Sequence, residues 1–413
     1  MDMEIKQLTN EQFTDFANHF KINSIYQTVE YGLIMNHQHF DSVLIGLVDE
    51  GNIVAATLLL IEESKTAKTA YAPRGFLIDY DNFSLLATFT NELKKYLSKL
   101  GILIVKLNPL IIKDTYDRKQ KIHTPNPYYE NIFKNLQKLG YKHLGYNSFF
   151  ENIKPRYEAI IDLEKPYYLL FKNIRKEFRT KIRSAEKKGI NIYKGNQNNL
   201  DYLYLQTKKK YPRDLQYFND CYNYFGKKDK LEFYYAKLDT AKYLKICNLN
   251  FQNQEKICNQ YNEQLMSSNK DIINRKLEAD KLLNQYKKEL IMATNYLRDY
   301  PDGIVMAAAL IVKTRKQIHL LMDGFNPKYK SFNAKHLLLW KISEKYAKEG
   351  YQSFNLGGIT NPEIKNNPYQ GLNEFKLGFS ANAIEYIGDL ELVCNPTLHF
   401  VYKNFKVNRI LKK

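Results

Sequence analysis

The first third of the chain alternates short apolar runs with polar turns, a pattern typical of strands joined by hairpins. Glu50-Gly51 separates the first two runs and predicts a tight turn between them. A longer segment, with apolar residues three and four positions apart, predicts a helix that ends at Gly101. In chain order we predict strands at 41–49, 52–61 and 71–80, a helix at 82–101 and a buried strand at 102–108.

The last third repeats this order of elements, although its residues differ. It has predicted strands at 231–239, 303–314 and 317–325, a helix at 333–350 that ends in glycine, and a strand at 351–358. Because hairpin, strand, helix and strand follow one another in both thirds, the pattern predicts two copies of one α/β unit.

Residues 240–300 separate the first two strands of the second copy, where the first copy has only a turn. Apolar or small residues recur there at alternating spacings of three and four, the seam of an antiparallel helical hairpin, with Cys247 and Cys258 as packing residues. Residues 266–271 supply the turn, and Pro301-Asp302-Gly303 ends the second helix. The predicted domains are 1–153, then 154–239 together with 301–413, and a coiled-coil arm at 240–300.

The formal net charge of +18 predicts an anionic partner, either nucleic acid, anionic lipid or a phosphorylated substrate. The four cysteines show no metal-binding spacing, which predicts free thiols in a reducing compartment and no zinc site. The acidic start predicts no signal peptide, and the longest apolar run, 53–61, is too short for a membrane span. We therefore expect a cytosolic protein. The basic segment 401–413 is either a membrane-surface contact or a solvated helix.

Positive charge is concentrated in a helix predicted at 171–190. Only Glu177 and Glu186 oppose eight cations there, so pairing within the helix cannot neutralise them. The pattern favours binding of a phosphate backbone, and a solvated charged helix is the alternative. The cations are Lys172, Arg175, Lys176, Arg179, Lys181, Arg183, Lys187 and Lys188.

A single lysine, Lys376, lies among apolar residues at the end of the polar segment 355–375. Its neighbours Phe375, Leu377 and Phe379 predict a strand whose alternate side chains are buried. A lysine in that setting loses hydration, which marks Lys376 as a candidate functional residue.

Five segments, together with the helical insertion, resemble one known family. They are PRGFLIDY (73–80), IKPRYEAIIDL (153–163), FNLGG (354–358), FKLGF (375–379) and IEYIGDLEL (384–392). Nearly the whole chain resembles the Fem family (FemABX and MurMN) of aminoacyl-tRNA-dependent peptidyltransferases, which build the interpeptide bridge of peptidoglycan.

The resemblance implies an α/β protein with two GNAT-like acyltransferase domains and a coiled-coil arm. It implies transfer of an amino acid from aminoacyl-tRNA to the stem peptide of lipid II or its UDP-linked precursor. No metal and no bound cofactor are implied. The expected location is the cytoplasm, in peripheral contact with the inner face of the membrane, with related bridge-building enzymes as further partners.

Individual positions also match the family's motifs. Lys376, after Phe375, resembles the catalytic position. Arg213 and Tyr217, in RDLQYF (213–218), resemble residues that face the muropeptide. The role of general base is not assigned to any residue by these motifs.

The PRGFLIDY segment adds Arg74 and Asp79 as substrate-binding candidates, with a salt bridge that holds the loop as the alternative. Lys106 and Asn108, at the end of the strand predicted at 102–108, are further candidates. Asn108 stands where family members commonly carry aspartate, so a mechanism that needs a carboxylate base there is in doubt.

Two further departures limit what can be carried over. Residues 30–35 lack the lysines that resemble phosphate ligands in family members, and residues 319–325 lack tyrosines found in the corresponding strand.

Two other functions stay open. An acyl-CoA-dependent N-acyltransferase would need a Gly-rich pyrophosphate loop, which we do not find. A non-catalytic RNA- or membrane-binding protein would not need Lys376.

Overall fold

The computed structural model describes residues 3–22, 24–64, 67–117, 121–208, 213–264 and 270–400. Within these residues the chain forms two mixed β-sheets, of seven and nine strands, with helices packed on them. No helix of this part of the chain is both long and apolar enough to cross a membrane. The basic segment 401–413 lies outside the described residues.

The strands of the first sheet come mainly from the first third of the chain. They are β1 (Glu4–Gln7), β2 (Asp41–Asp49), β3 (Asn52–Glu63), β4 (Lys68–Ala72), β5 (Ile102–Leu107), β8 (Tyr141–His143) and β16 (Leu390–Val393). Their order across the sheet is β1-β2-β3-β4-β5-β16-β8.

The second sheet has the order β10-β11-β12-β13-β14-β9-β15-β6-β7. Its strands are β6 (Ile112–Asp117), β7 (Ile122–Pro125), β9 (Tyr157–Asp162), β10 (Ile190–Gly195), β11 (Leu231–Leu238), β12 (Ile304–Lys313), β13 (Gln317–Phe325), β14 (Ser353–Ile359) and β15 (Asn382–Tyr386).

Twelve α-helices lie in the described residues. They are α1 (Asn10–His19), α2 (Val29–Asn36), α3 (Phe83–Lys99), α4 (Tyr129–Lys138), α5 (Tyr167–Asn173), α6 (Lys176–Lys187), α7 (Leu200–Thr207), α8 (Leu215–Cys221), α9 (Thr240–Gln264), α10 (Lys270–Asp299), α11 (Ala334–Lys348) and α12 (Gln370–Leu377).

The predicted duplication is confirmed by strand pairing. In the first sheet β2, β3 and β4 pair antiparallel, and β5 then returns parallel to β4 after α3. In the second sheet β11, β12 and β13 pair antiparallel, and β14 returns parallel to β13 after α11. Gly101 ends α3 with a φ of +72°, a conformation that glycine adopts without strain.

The strand predicted at 71–80 is wrong in its position. Strand β4 begins at Lys68 and ends at Ala72. Arg74 takes a positive φ of 55°, which reverses the chain direction, and Leu77 then returns to bridge Ala56. The Pro-Arg-Gly segment is therefore a loop at the end of the strand, and Phe76 and Ile78, which follow it, pack in the core of the first sheet.

Two strand exchanges cross the boundary predicted at residues 153 and 154. Strands β6 and β7 precede that boundary but join the second sheet through β15. Strand β16, near the end of the described chain, inserts between β5 and β8 of the first sheet. Each sheet therefore needs residues from both sides of the boundary, which couples the two units mechanically.

The inserted arm consists of α9 and α10, which pack along each other. The residues of the predicted seam on α10 are buried or half-buried, and Ala279 and Ala293 are the most deeply buried of them. On α9 the polar Gln254 is also buried, and its Nε2 donates to the carbonyl oxygen of Ala279 at 3.1 Å. The predicted turn at 266–271 lies mostly outside the described residues.

The helix predicted at 171–190 is wrong as a single element, because α5 and α6 are separate. Ile174 and Arg175 take extended ψ angles of 143° and 140° between them. The backbone N–H of Arg175 donates to the carbonyl oxygen of Gly378 at 3.1 Å instead of to a helical acceptor. This bond ties the break to the segment that follows Lys376.

A third apolar core lies between the two sheets and holds them together. It contains Leu58 and Leu60 of β3, Phe233 of β11 and Leu310 of β12, each at most 1% exposed. Helices α2, α7 and α8 also contribute apolar side chains to it. Because both sheets and these helices bury apolar side chains in this core, the two sheets have a fixed relative position.

The exchanged strand β16 is expected to be essential to the first sheet. Leu392 has no exposed surface within that sheet's core, so Leu392→Ala should lower the free energy of unfolding by about 2–5 kcal/mol. The neighbouring Val393→Ala is the matched control, since Val393 is only half-buried and should cost less than about 1.5 kcal/mol. Urea unfolding measures both values, and equal effects would contradict a core role for β16.

Candidate functional site

A buried ion pair connects the two sheet units. Arg74, from the loop after β4, donates through Nη2 to Glu158 Oε1 of β9 at 2.5 Å and to the carbonyl oxygen of Pro155 at 2.9 Å. Burial alone would raise the pKa of Glu158, but Arg74 and the Asn355 amide more than offset it, so the pKa lies below its usual value. Glu158 is therefore a carboxylate at neutral pH.

The predicted salt bridge between Arg74 and Asp79 is absent from these described residues, since Arg74 pairs with Glu158 instead. Asp79 is exposed, and its Oδ1 accepts from the backbone N–H of Asp81 within the same turn. It therefore shapes its own turn. A substrate role for Asp79 stays a prediction.

Asn108 holds the Arg74 loop in place. Its Oδ1 accepts from the Arg74 backbone N–H at 3.0 Å and from the Tyr71 hydroxyl at 3.1 Å. Its Nδ2 donates to Asp389 Oδ1 at 3.2 Å, and burial raises the pKa of Asp389. Lys106, two residues before Asn108, is half-buried on β5. Asn108 is thus a positioning residue, for which an amide that both donates and accepts is well suited.

The parallel strands β13 and β14 separate in the middle of the second sheet. They pair only as far as His319 and Asn355, although both strands continue beyond these residues. Asn355 donates to Glu158 at 2.7 Å and accepts from the backbone N–H of Gly357, whose φ is +79°. The first sheet has no such split, since β4 pairs with β5 up to Ala72 and Leu107.

Lys376 reaches into this split from a helix. The predicted strand at 375–379 is wrong, because α12 extends to Leu377. Lys376 Nζ donates to the carbonyl oxygen of Gly358 at 2.8 Å and lies beside Gly357. Burial lowers the pKa of Lys376 to about 8, although Asp323 opposes the shift. At neutral pH the site therefore holds a poorly solvated ammonium, in a gap between two strands.

Phe375 fixes the helix that carries this lysine. Its ring contacts the rings of Phe178, His336 and Phe379 at centroid distances of 6.0, 5.2 and 5.5 Å. Glu374, on the same helix, forms an ion pair with Arg175 at the start of α6. The geometry thus gives Phe375 a packing role and gives Arg175 a positioning role for α12.

Arg213 and Tyr217 lie together near the start of α8. The Arg213 guanidinium lies over the Tyr217 ring at 4.6 Å, and its Nη1 donates to Gln38 Oε1 at 3.3 Å. Tyr217 is 6% exposed, and burial raises its pKa well above the ordinary value. The tyrosine therefore stays protonated at neutral pH, with the Arg213 guanidinium over its ring.

Lys154 lies near the Arg74–Glu158 ion pair and was not predicted from the sequence. Its Nζ lies 3.5 Å from the centroid of the Tyr26 ring and 5.8 Å from that of Tyr31 on α2. Burial, and then the charge of Arg74, lower the pKa of Lys154 to about 7. Only its position in the segment IKPRY, directly before the β9 strand, could have pointed to it.

His319 was also missed, because the same strand was searched for tyrosines. It is 8% exposed, and its Nε2 has no hydrogen-bond partner in the described part of the chain. Burial lowers the pKa of His319 to about 4, so the imidazole is neutral at physiological pH. The charges of Glu158 and Arg74 also act on this pKa, so the uncharged ring lies near the ion pair.

Four of the eight cations in the segment predicted as a phosphate-binding helix are half-buried. Arg175 is paired with Glu374, and Lys188 reaches the carbonyl oxygen of Ser331. Lys181 lies over the Phe178 ring, and Arg179 is half-buried. The exposed cations are Lys172 on α5, and Lys176, Arg183 and Lys187 on α6.

No group of three or more His, Cys, Asp or Glu side chains that could hold a metal ion occurs in the described residues. The charged side chains described for this site are Lys376, Lys154, Arg74 and Glu158. Arg74 follows a strand of the first sheet, whereas Lys154, Glu158 and Lys376 belong to the second unit, so the contact between the two units brings Arg74 to Glu158.

Removal of one member of the buried ion pair should destabilise the whole chain. Glu158→Ala leaves the Arg74 guanidinium buried without a counter-charge, which typically costs about 3–5 kcal/mol. The depressed pKa of Glu158 adds stability that is present near neutral pH and is lost as the pH falls through that pKa. Urea unfolding at pH 7 and pH 4 measures both effects.

The matched double variant, Arg74→Met with Glu158→Leu, removes both charges and should recover part of that loss in free energy. The single variants Arg74→Met and Glu158→Leu complete the comparison. A loss in free energy of unfolding for the double variant equal to the sum of these two single losses would contradict a direct interaction between the residues.

Comparison with known proteins agrees with this architecture. Aminoacyltransferase FemA of Staphylococcus epidermidis is 24% identical over 420 residues, covering 98% of this chain and 99% of that protein. Lipid II:glycine glycyltransferase of the same organism is 24% identical over 433 residues, covering 99% and 100%. The crystal structure of FemX matches with a TM-score of 0.73 at 20% identity, over 97% of this chain and 99% of that one, which confirms the predicted fold class.

The FemAB family model matches residues 8–407, almost the full length of the sequence. The resemblance noted in five short segments is therefore confirmed over the whole chain. This chain belongs to the FemAB family.

Proposed function

We propose that this chain transfers an amino acid from aminoacyl-tRNA to the stem peptide of lipid II or its nucleotide-linked precursor, building the interpeptide bridge of peptidoglycan. The names of two relatives, an aminoacyltransferase and a lipid II:glycine glycyltransferase, support this activity. The observation that carries the proposal is Lys376, an ammonium held in the split between β13 and β14.

The reaction joins an amine of the acceptor to the ester carbon of the charged tRNA. The ester is already activated, so the protein must mainly orient two large substrates and stabilise charge. The tetrahedral intermediate carries an oxyanion, and the 3′-oxygen of the ribose must leave. Lys376 is suited to both tasks, because a cation in a poorly hydrated gap interacts strongly with developing negative charge.

We expect the acceptor to bind where the two sheet units meet, near Arg74 and Arg213. Arg213 and Tyr217 offer a guanidinium and a hydroxyl beside each other there. Arg74 is engaged by Glu158, so we assign it to holding the two units together and not to contacting the acceptor directly.

For the donor, the exposed cations Lys172, Lys176, Arg183 and Lys187 form a candidate tRNA contact on α5 and α6. This contact lies close to the reaction site, because Arg175 and Phe178 of the same segment touch α12. The approach of lipid II also requires a peripheral contact with the cytoplasmic face of a membrane, which stays a prediction here.

The first test is transfer of labelled amino acids from a pool of charged tRNA to lipid II. Lys376→Ala should lower the turnover number by about 100- to 1000-fold, as is typical for loss of one preorganised oxyanion donor. Lys376→Arg keeps the positive charge in a longer side chain and should retain more activity than alanine. Thermal unfolding of both variants controls for folding.

Activity in Lys376→Ala close to that of the wild type would contradict the assignment. Absence of transfer by the wild-type chain, together with RNA binding that charge reversal of the exposed cations abolishes and Lys376→Ala leaves intact, would favour a binding protein over an enzyme. An acceptor that already carries the first bridge residue should be assayed in parallel, which identifies the bridge position that the chain extends.

Transfer should also depend on the protonation of Lys376. Its pKa is about 8 and the charged form is the active one, so its contribution to the rate should be lost as the pH rises through that value. Lys376→Arg stays charged and should lack this decline. Initial rates of label entering the lipid fraction measure it, and the same decline in both proteins would contradict the prediction.

A further inference from the structure

A buried hydrogen-bond network lies between β14 and the helix that carries Lys376. It is formed by Thr360, Asn367 and Asn373, which are 0%, 8% and 5% exposed. The Thr360 hydroxyl accepts from Asn367 Nδ2 at 2.6 Å and donates to Asn373 Oδ1 at 3.2 Å. Burial of polar side chains is unfavourable unless they are hydrogen-bonded, and these three side chains bond one another.

Asn373 binds both backbone groups of Thr360. Its Oδ1 accepts from the Thr360 backbone N–H at 3.0 Å, and its Nδ2 donates to the Thr360 carbonyl oxygen at 3.0 Å. A neighbouring strand would pair with the same two groups, so the side-chain amide continues the sheet where β14 ends at Ile359. An amide is suited to this position because it offers a donor and an acceptor side by side.

Asn373 and Lys376 lie on the same face of α12. Residues three positions apart are neighbours on a helix surface, and both of these side chains reach the end of β14. Asn373 binds Thr360, and Lys376 Nζ donates to the carbonyl oxygen of Gly358, two residues earlier, at 2.8 Å. The two contacts therefore belong to one helix–strand interface, and the position of the first limits where the second can form.

Helix α12 depends on such contacts because it is short. It has eight residues and no side-chain hydrogen bond at its N-cap, and a helix of this length is not stable by itself. The ion pair of Glu374 attaches it to Arg175 at the start of α6. Asn373 attaches it to β14 instead, which is the strand whose carbonyl group receives Lys376.

We propose that Asn373 is a positioning residue of the transfer reaction, which fixes the register of α12 against β14 and so holds Lys376 Nζ at the Gly358 carbonyl. The inference rests on the proposed function. Asn373 acts through the lysine and does not touch the reacting atoms. Without its two backbone bonds α12 can shift along β14, and a displacement of about 1 Å near a reacting centre can cost about 100-fold in rate.

The kinetic test compares Asn373→Leu with Thr360→Val in the lipid II transfer assay. Leucine has a similar volume but leaves the Thr360 N–H and carbonyl unpaired, so kcat should fall by up to about 100-fold with little change in KM for lipid II. Thr360→Val removes the hydroxyl and keeps both backbone bonds to Asn373, so its loss of kcat should be smaller. Wild-type kcat in Asn373→Leu would overturn the proposal.

Thr90→Val is the matched control for the loss of a buried hydroxyl. Thr90 is 0% exposed on α3, where its Oγ1 donates to the Leu86 carbonyl oxygen at 2.7 Å and lies 3.0 Å from the Tyr141 hydroxyl. This variant should unfold at a lower temperature than the wild type and keep its kcat. Equal losses of kcat in the two threonine variants would refute the proposal, because the losses would then reflect stability alone.

The pH dependence separates positioning from general destabilisation. In the wild type, burial lowers the pKa of Lys376 to about 8, while Asp323 on β13 and Glu158 on β9 favour its charge and Lys335 on α11 opposes it. None of these three residues changes in the variants. In Asn373→Leu the lysine gains access to water, so its pKa should rise towards the ordinary value and the decline in rate should move to higher pH. A decline at the wild-type pH would count against positioning and refute the proposal.

A labelling measurement tests the same point without the reaction. Competitive acetylation of the full chain, followed by mass spectrometry, gives the pH at which Lys376 becomes reactive. We expect a midpoint near pH 8 in the wild type and in Thr90→Val, and a higher midpoint in Asn373→Leu. An unchanged midpoint in Asn373→Leu would overturn the proposal. Absence of transfer by the wild-type chain would instead contradict the proposed function, and the labelling curves would still decide whether Asn373 positions the lysine.

Discussion

The buried pair of Arg74 and Glu158 is the interaction on which the rest of the site depends. Arg74 belongs to the loop after β4 and Glu158 to β9, so the ion pair joins the two sheet units. Its charges are out of water, which makes either one costly without the other. Asn108 hydrogen-bonds Arg74 and Asn355 hydrogen-bonds Glu158, so the two asparagines extend the ion pair into a continuous polar network.

The split between β13 and β14 follows from the same network. Asn355 bonds Glu158 with one end of its amide and the Gly357 backbone with the other, which bends β14 away from β13. The gap exposes the Gly358 carbonyl to Lys376. A parallel pair of strands that parts in mid-sheet leaves unpaired backbone groups, and here the candidate catalytic lysine satisfies one of them. The hydrogen bond from Lys376 to Gly358 thus satisfies a backbone carbonyl and also positions the candidate catalytic amine.

Local patterning accounts for what could be foreseen. The alternation in β2 and β3, the glycine after α3 and the three-four spacing in α10 each depend on residues close in sequence, and each element was found where predicted. Lys376 was singled out correctly as a lysine with a low pKa, but for the wrong reason. Phe375 and Phe379 are buried by a helical aromatic cluster and not by alternation along a strand.

The sequence by itself determined the two repeated units, the helical insertion, the excess positive charge and the family, because these depend on periodicity, composition and short motifs. Only the tertiary structure decided the strand exchange, the partner of Arg74 and the environment of Lys154. Those features depend on which residues face one another across two sheets, and a pKa or an ion pair is set by neighbours in space. Arg74 and Glu158 are 84 positions apart and lie in different sheet units, yet they form one buried ion pair.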